Sequence, residues 1–319
     1  MAAVETLRII SPGIMTSVQD LGRYGYGRFG VAPGGALDSF SLRVANLLVG
    51  NSEDQACLET MLLGPGLMAL TDLVIAVTGG DLQPKRNKQP IEIWRSYAFK
   101  RDDVLSFGQP VSGFRAYIAV GGGIDVPPVM GSRSTNLPSG FGGHEGRTLN
   151  KDDVLVSAAP ARRLDCAGRR FYPHGIPRHS NQWKLRVLWG PQDDHFTKER
   201  RQTFLDGIYT MSQNSDRTGI RLEGPQVQCK PNIAASIISE GVIAGSIQIP
   251  GDGKPIIILG ETVTGGYRKI ATVVAADLPS LGQIKPGDSI QFELVSVDEA
   301  KNALQEIEGR INAFRRMFS

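Results

Sequence analysis

The stretch GETVTGGYRKIATV (260–273) brings a carboxylate (Glu261), two hydroxyls (Thr262, Thr264), a glycine pair (Gly265, Gly266) and a phenol (Tyr267) to the end of an apolar run, PIIIL. These types suit proton transfer and the binding of a carboxylate or an oxyanion. Glu261 and Tyr267 could exchange a proton with a substrate. Thr264 could donate a hydroxyl, and a Gly-Gly turn offers bare backbone amides to an anion. The same spacing also suits a plain hairpin whose glycines meet a positive-φ requirement.

Three further groups carry candidates. The opening loop SVQDLGRYGYGRFGVAPGGALD (17–38) places Asp20, Arg23, Arg28 and Asp38 among six glycines. Asp20 is a candidate acid and Arg23 a candidate substrate ligand, whereas Asp38 precedes an amphipathic run and reads as a helix N-cap. QNSDRTGIRLEG (213–224) supplies Asp216, Arg217 and Arg221. Arg221 offers a bidentate fork for a carboxylate or phosphate, or one half of a salt-bridged strand edge. Gln83 and Gln248 each follow a glycine in matching contexts, and one or both are expected to face a cavity. The candidate set is therefore Glu261, Asp20 and Tyr267 for catalysis, with Arg23, Gln83, Arg221, Gln248, Thr264, Gly265 and Gly266 for binding.

Other motifs fail on context. Gly25, Gly27 and Gly30 spell G-x-G-x-x-G, but no apolar strand leads in, and Pro33, Gly34 and Gly35 forbid a helix directly after. GDGKP (251–255) imitates the end of a P-loop, yet Lys254 precedes a proline rather than Ser or Thr. His174 and His179 lie five apart in a proline-broken stretch, and His144 and His195 are isolated, so no metal site is expected. There is no G-x-S-x-G, and no cysteine has a visible base.

The elements that must position these residues come in two copies. LETMLLGPG faces IRLEGPQ, GGDLQPKRNKQPIEI (79–93) faces AGSIQIPGDGKPIII (244–258), and GFRAYIAVGGGIDVP (113–127) faces GYRKIATVVAADLP (266–279). NKDDVLVSA (150–158) faces KPGDSIQFE (285–293), and LDSFSLRVANLLVG (37–50) faces DDHFTKERRQTFLDG (193–207). Five matches in one order indicate a tandem duplication. Short runs rich in Val, Ile and aromatics, bounded by Gly, Pro, Asn or Asp, predict a mainly β protein with few helices. One helix follows Asp38, its counterpart follows Asp194, and Ala300, Ala303, Leu304, Ile307, Ile311 and Phe314 mark a C-terminal helix. The expected division is 1–165 for a first β-barrel domain, 166–183 for a linker, 184–297 for a second, and 298–319 for the helix. Residues 127–151, rich in Gly, Ser and Pro, should form one long loop.

Bulk properties narrow the class. In 319 residues, hydrophobic types make up 41% and charged types 21%, which is ordinary for a folded protein with a real core. The net charge of +3, with no basic-aromatic stripe, argues against nucleic acid. No run is apolar enough for a membrane span, and three scattered cysteines fit reduced thiols. A cytoplasmic protein is expected.

Several stretches carry a family likeness: SVQDLGRYGYGRFGVAPGGALD, LETMLLGP, GPQDDHF, SDRTGIRLEG, SIQIPGDGKPI, TGGYRKIATV and ADLPSLGQIKPGDSIQF. From about Leu7 to Phe292, the chain resembles the allophanate hydrolase subunit 2 family. That family includes the carboxyltransferase domain of urea carboxylase and the C-type subunit of ATP-dependent 5-oxoprolinase. The resemblance implies two cyclophilin-like β-barrels. For a chain of this length without a Met-Lys-Met biotin site, it implies a C-type subunit. Such a subunit acts with A-type and B-type subunits to open the 5-oxoproline lactam to L-glutamate with ATP. A carboxyltransferase served by biotin in trans is the alternative, and a non-catalytic regulator of a B-type or kinase-inhibitor-type partner a third. The chain departs from the family pattern Asp-Arg-Gln-Thr at Glu261 and Val263, and carries Thr218 where the family favours Met.

Overall fold

The computed structural model describes residues 3–158 and 160–318. The chain divides into two compact units: Met1–Arg23, Gly34–His179 and Arg310–Ser319 in one, Tyr24–Pro33 and Ser180–Gly309 in the other. Both are mainly β.

In the first unit, eleven strands form two sheets. The larger orders Val154–Ala158, Ala3–Ser11, Gly66–Ala69, Val104–Ser106, Lys85–Arg86 and Gln89–Pro90. The smaller orders Ser17–Gln19, Cys57–Met61, Ser112–Val120, Leu73–Asp81 and Arg95–Phe99. No backbone pairing joins the two sheets among the described residues. Leu7, Ile9, Leu58, Leu67, Ile75, Leu105, Ile118 and Leu155 form a dry core. Ser112–Val120 and Leu73–Asp81 are buried almost throughout because the helix α1 (Ser39–Leu48) packs on both. Asp38 caps α1 as expected, its Oδ1 accepting from the Ser41 amide at 2.9 Å.

The expected linker 166–183 is not a linker along most of its length. Cys166, Phe171 and Gly175 are buried in the first unit. Phe171 sits among Phe40, Trp94, Tyr172 and Phe314, with ring centroids 4.2 to 5.9 Å away. Proline and glycine suggested a loop, but the aromatic side chains make this stretch part of the core. The second unit's first strand begins at Gln182.

In the second unit, the strands run in the order Gln182–Trp189, Ser289–Leu294, Tyr209–Met211, Gly219–Glu223, Ile256–Ile258, Ser246–Ile249, Thr264–Val273 and Ser236–Gly241. Gln182–Trp189 pairs again with Thr264–Val273, for example Val187 with Val273. The first seven strands therefore close into a ring, and Ser236–Gly241 hangs outside it. Helix α2 (Lys198–Asp206) buries only Phe204, which stacks on Phe292 at 4.5 Å. Helix α3 is a single turn (Leu278–Leu281), and α4 (Val297–Arg316) closes the described chain. The duplicated stretches fall on matching elements: α1 with α2, Ser112–Val120 with Thr264–Val273, and Val154–Ala158 with Ser289–Leu294. Along α4, Ala300, Ala303 and Ile307 pack on Val274, Ala276, Leu188 and Val295 of the second unit, and Ile311 and Phe314 are buried. Leu304, expected on the buried face, is 38% exposed.

Residues 127–151 carry no helix and no strand, only two isolated bridges, yet they are packed rather than loose. Ser132, Ser134, Thr135, Asn136 and Leu149 are buried. The C-terminal end of the segment is held by Asp153. Arg147 donates from Nη1 to its Oδ2 at 2.7 Å and from Nη2 to its Oδ1 at 3.0 Å, and the Asn150 amide adds 2.7 Å to Oδ2. Arg147, the Asn150 amide and nearby His144 hold the Asp153 carboxyl below the usual carboxylate range, against a desolvation penalty that acts the other way. A carboxylate depressed in the folded state stabilises fully above the unfolded value, about pH 4, and loses that effect as the pH falls through the folded value. Asp153→Asn should therefore be less stable than the parent at pH 7, with the gap closing below about pH 4. Urea unfolding across that range measures this, and a gap constant from pH 7 to pH 3 would rule out an ionised pin.

Candidate functional site

In the first unit, Asp20 is a structural pin. Its Oδ1 accepts from the Gly22 amide (2.8 Å), the Ser132 hydroxyl (2.6 Å) and the Ser134 hydroxyl (2.5 Å), and its Oδ2 from the Arg133 amide (2.5 Å). A carboxylate meeting four donors in a buried place has little capacity left for a substrate proton. Arg23 is equally buried. It donates from Nη2 to the Ser134 carbonyl and from Nε to the Val129 carbonyl at 3.5 Å, and it lies over the Phe141 ring. Asp20 and Arg23 thus meet at the same loop, which they fold. Gly35 in this loop and Gly142 in the segment it meets serve close packing. A Cβ on Gly35 would come within 2.9 Å of the Leu21 and Gly22 backbone, at a φ of +89°. The G-x-G-x-x-G glycines open only a 3-10 turn, Gly27–Phe29, closed by Gly30.

A second cluster in this unit has no marker in the local sequence. Glu59 is 4% exposed. Its Oε2 accepts from the Tyr117 hydroxyl at 2.7 Å and the Leu37 amide at 3.0 Å, while Oε1 lies 3.6 Å from Arg115 Nε. The Tyr117 hydroxyl accepts in turn from the Asp38 amide at 2.8 Å. Burial, then the charges of Glu59 and Asp38, push the Tyr117 phenol well above its ordinary pKa, so it stays a proton donor. Burial holds His179 below its ordinary pKa, opposed by Asp38 and by a hydrogen bond with the Gly79 backbone. The available signal was the repeat itself. Glu59 and Glu223 are matched positions, but Glu59 is buried, whereas Glu223 is exposed and paired with Lys254 at 2.5 Å.

In the second unit, Glu261 and Arg217 form a buried pair, Arg217 Nε donating to Glu261 Oε1 at 2.7 Å. The Glu261 side chain has no exposure, and its Oε2 has no hydrogen-bond partner among the described residues. It is an acceptor shielded from water that no described donor meets. The arginine of the site is therefore Arg217. Arg221, the expected one, lies on Gly219–Glu223 at an outward position and is exposed, because strand alternation sends 220 and 222 inward. Gln83 is also exposed, in a loop at a φ of +51°, and does not face a cavity.

Gly265 and Gly266 do not form a turn. They lie inside the strand Thr264–Val273, paired with Ser236–Gly241. At Gly265 a larger residue would have to displace the Gln248 side chain. A Cβ on Gly265 would stand 2.1 Å from Gln248 Nε2. Gln248 is 3% exposed, and its Nε2 donates to the Tyr267 carbonyl at 3.4 Å. Thr264 and the Tyr267 side chain are exposed, and the Thr264 carbonyl accepts from the Thr262 hydroxyl at 3.1 Å. Next to Gln248 across the strands stands Lys269, which reads in the sequence as an ordinary strand residue. Its Nζ pairs with Glu240 Oε1, which also accepts from Gln192 Nε2 at 2.7 Å. Gln192 Oε1 accepts from the Lys269 amide at 2.9 Å. The hydrogen bonds from Lys269 and Gln192 hold the Glu240 carboxyl below its usual range. Arg268 donates from Nη1 to His195 Nδ1 at 2.6 Å, which leaves the His195 proton on Nε2.

Among the described residues, no group of three or more His, Cys, Asp or Glu could hold a metal ion, and no helix is long and apolar enough to cross a membrane. Burial raises the Cys57, Cys166 and Cys229 thiols, so none is an activated nucleophile.

Residues 29–294 match the family described as carboxyltransferase domain, subdomain A and B. The chain is 35% identical to the C-type subunit of 5-oxoprolinase from Escherichia coli (strain K12), covering 94% of both proteins. It is 36% identical to urea amidolyase of Saccharomyces cerevisiae over 93% of this chain and 17% of that protein. Among solved structures, K. lactis urea amidolyase superposes with a TM-score of 0.92 at 34% identity, over 98% of this chain and 20% of that one. TTHA0988 superposes with a TM-score of 0.80 at 34% identity, over 91% and 55%. The chain thus spans nearly the whole of the 5-oxoprolinase relative and only about a fifth of the urea amidolyases.

The pin at Asp20 has a measurable consequence. Asp20→Ala removes the shared acceptor of two buried hydroxyls and two amides, and should destabilise the chain by about 2–4 kcal/mol. Thermal unfolding reads this directly, and an unchanged midpoint would return Asp20 to the catalytic candidates.

Proposed function

This chain belongs to the family of carboxyltransferase domains built from subdomains A and B, and from that membership we propose that it serves as the C-type subunit of a 5-oxoprolinase complex. Acting with A-type and B-type subunits, the complex opens the 5-oxoproline lactam to L-glutamate at the expense of ATP. The observation that carries this reading is the 35% identity to the E. coli 5-oxoprolinase relative across 94% of that protein's own length. The chain covers 94% of the E. coli 5-oxoprolinase relative and is covered by it to the same extent, whereas the urea amidolyases carry more than four-fifths of their length outside the match.

The site chemistry is compatible. Lactam opening adds water to the amide carbon, breaks the C–N bond and returns a proton to nitrogen. Glu261 Oε2, shielded and unpartnered, can accept the lactam N–H, and Arg217 holds that carboxylate in place through Oε1. ATP supplies a phosphoryl leaving group in such a reaction. The Gly251–Pro255 segment does not fit a triphosphate. Lys254 is committed to Glu223 at 2.5 Å, and its amide donates to the Asp252 side chain at 3.1 Å. We assign the nucleotide to a partner protein and route no step through it on this chain.

Carboxyl transfer from biotin carried on another protein is the second reading, favoured by the TM-score of 0.92 with K. lactis urea carboxylase over 98% of this chain. Reconstitution separates the two. Glutamate release from 5-oxoproline and ATP should need this chain and both partners, each omitted in turn. Glu261→Gln, which replaces the Oε2 acceptor by a donor, should lower kcat/KM by about 10- to 100-fold in that complex. Release that persists without this chain, or a response only to carboxybiotin, would overturn the proposal. Partner binding with neither activity would point to a regulator.

A further inference from the structure

Lys269 is an unusual lysine. It lies in the middle of Thr264–Val273, its side chain is 6% exposed, and its ammonium meets Glu240 on the outermost strand. Glu240 is different in every respect. Its side chain is 44% exposed, and it sits on Ser236–Gly241, where five of six residues are exposed and the pairing register is irregular between Ser236 and Glu240. A buried ammonium would ordinarily be matched by a carboxylate held as firmly as itself. Here the cation is fixed and the anion stands on the most peripheral element of the sheet.

The surroundings favour an additional carboxylate. Both Lys269 and Arg268 act on the Glu240 carboxylate, so one anion sits in the field of two cations. Gln248 is buried beside Lys269, and its amide is spent on one long contact to the Tyr267 carbonyl. Opposite Glu240 on the neighbouring strand is Gly265, followed by Gly266. A Cβ on Gly265 would stand 2.1 Å from Gln248 Nε2, so the glycine admits the Gln248 amide at the strand position opposite Glu240, and a Cβ on Gly266 would meet nothing closer than 3.5 Å. Gln192 holds Glu240 through Nε2 and the Lys269 amide through Oε1. The backbone around Lys269 therefore stays in place when Glu240 swings away.

We propose that Lys269, with the Gln248 amide beside it, binds the carboxylate of a small-molecule substrate, and that Glu240 is an internal carboxylate which the substrate displaces. The substrate class is a neutral amide or lactam that also bears a carboxylate, an identification that rests on the proposed function. Exchange of one carboxylate for another at the same ammonium conserves charge in the site. The cost of burying the ligand anion is then offset by returning Glu240 to water.

The test is titration calorimetry on the full chain with 5-oxoproline and with 2-pyrrolidinone, the same lactam without the carboxylate. The parent chain should prefer 5-oxoproline by about tenfold or more. Glu240→Gln, which removes the internal competitor, should bind 5-oxoproline several-fold more tightly and leave 2-pyrrolidinone unchanged. Lys269→Met should bring the two ligands to the same affinity. If that variant does not fold, Glu240→Gln decides alone. Equal affinities in the parent, weaker or unchanged 5-oxoproline binding in Glu240→Gln, or no binding of either ligand would each overturn the proposal. Carboxylate preference through Lys269 in a chain whose reconstituted complex releases no glutamate would keep the site and remove the lactam-opening function.

Discussion

A carboxylate removed from water must be met by donors, and that requirement organises both units. Asp20 gathers two hydroxyls and two amides and so dictates the path of the 132–134 segment. Asp153 does the same at the other end of that long loop through Arg147 and the Asn150 amide. In the second unit, Asp277 binds the Arg186 amide and guanidinium, and Asp288 binds Trp183 Nε1 and Lys285. Against this background, Glu261 stands out. It is as buried as the others but has an oxygen that no described group meets. A carboxylate left short of donors is a cost to the fold, and such costs are tolerated where a ligand makes up the shortfall.

The duplication separates what the scaffold needs from what chemistry needs. Apolar strands and the helix position recur in both units, since each must bury a core. Polar residues at matched places do not behave alike. Glu59 is buried with Tyr117, while Glu223 is exposed with Lys254; Gln248 is buried, while Gln83 is exposed. α1 is mostly buried and α2 buries only Phe204, although both start at a side-chain cap, Asp38 for α1 and Thr197 for α2.

The legible part of the sequence was the part governed by local rules. Val- and Ile-rich runs between turn residues gave strands, Asp38 gave a helix cap, and ordered repeats gave the two-unit plan. Positions set by distant neighbours were not legible. Gly265 and Gly266 look like a turn because glycine pairs usually relieve backbone strain, yet here the Gln248 side chain occupies the place of a Cβ. Phe171 and Cys166 were hidden in a proline-marked stretch; the burial of Phe171 depends on Phe40, Trp94 and Phe314, far away in the chain. Lys269 looked like one more strand residue, since nothing local marks a lysine that points inward. Arg217 and Arg221 were indistinguishable until strand alternation turned Arg221 outward and the pair with Glu261 placed Arg217 in the interior.

The ring of seven strands in the second unit is complete without the eighth. Every member of the ring has a neighbour on both sides, so opening it means breaking the unit as a whole. Ser236–Gly241 pairs on one side alone and contributes almost no buried side chain. Its amides should therefore exchange with solvent through a local opening that leaves the ring intact, orders of magnitude more often than those of Thr264–Val273 beyond the contact. One sheet would then hold two cooperative units with separate lifetimes, a persistent ring and a strand that comes and goes.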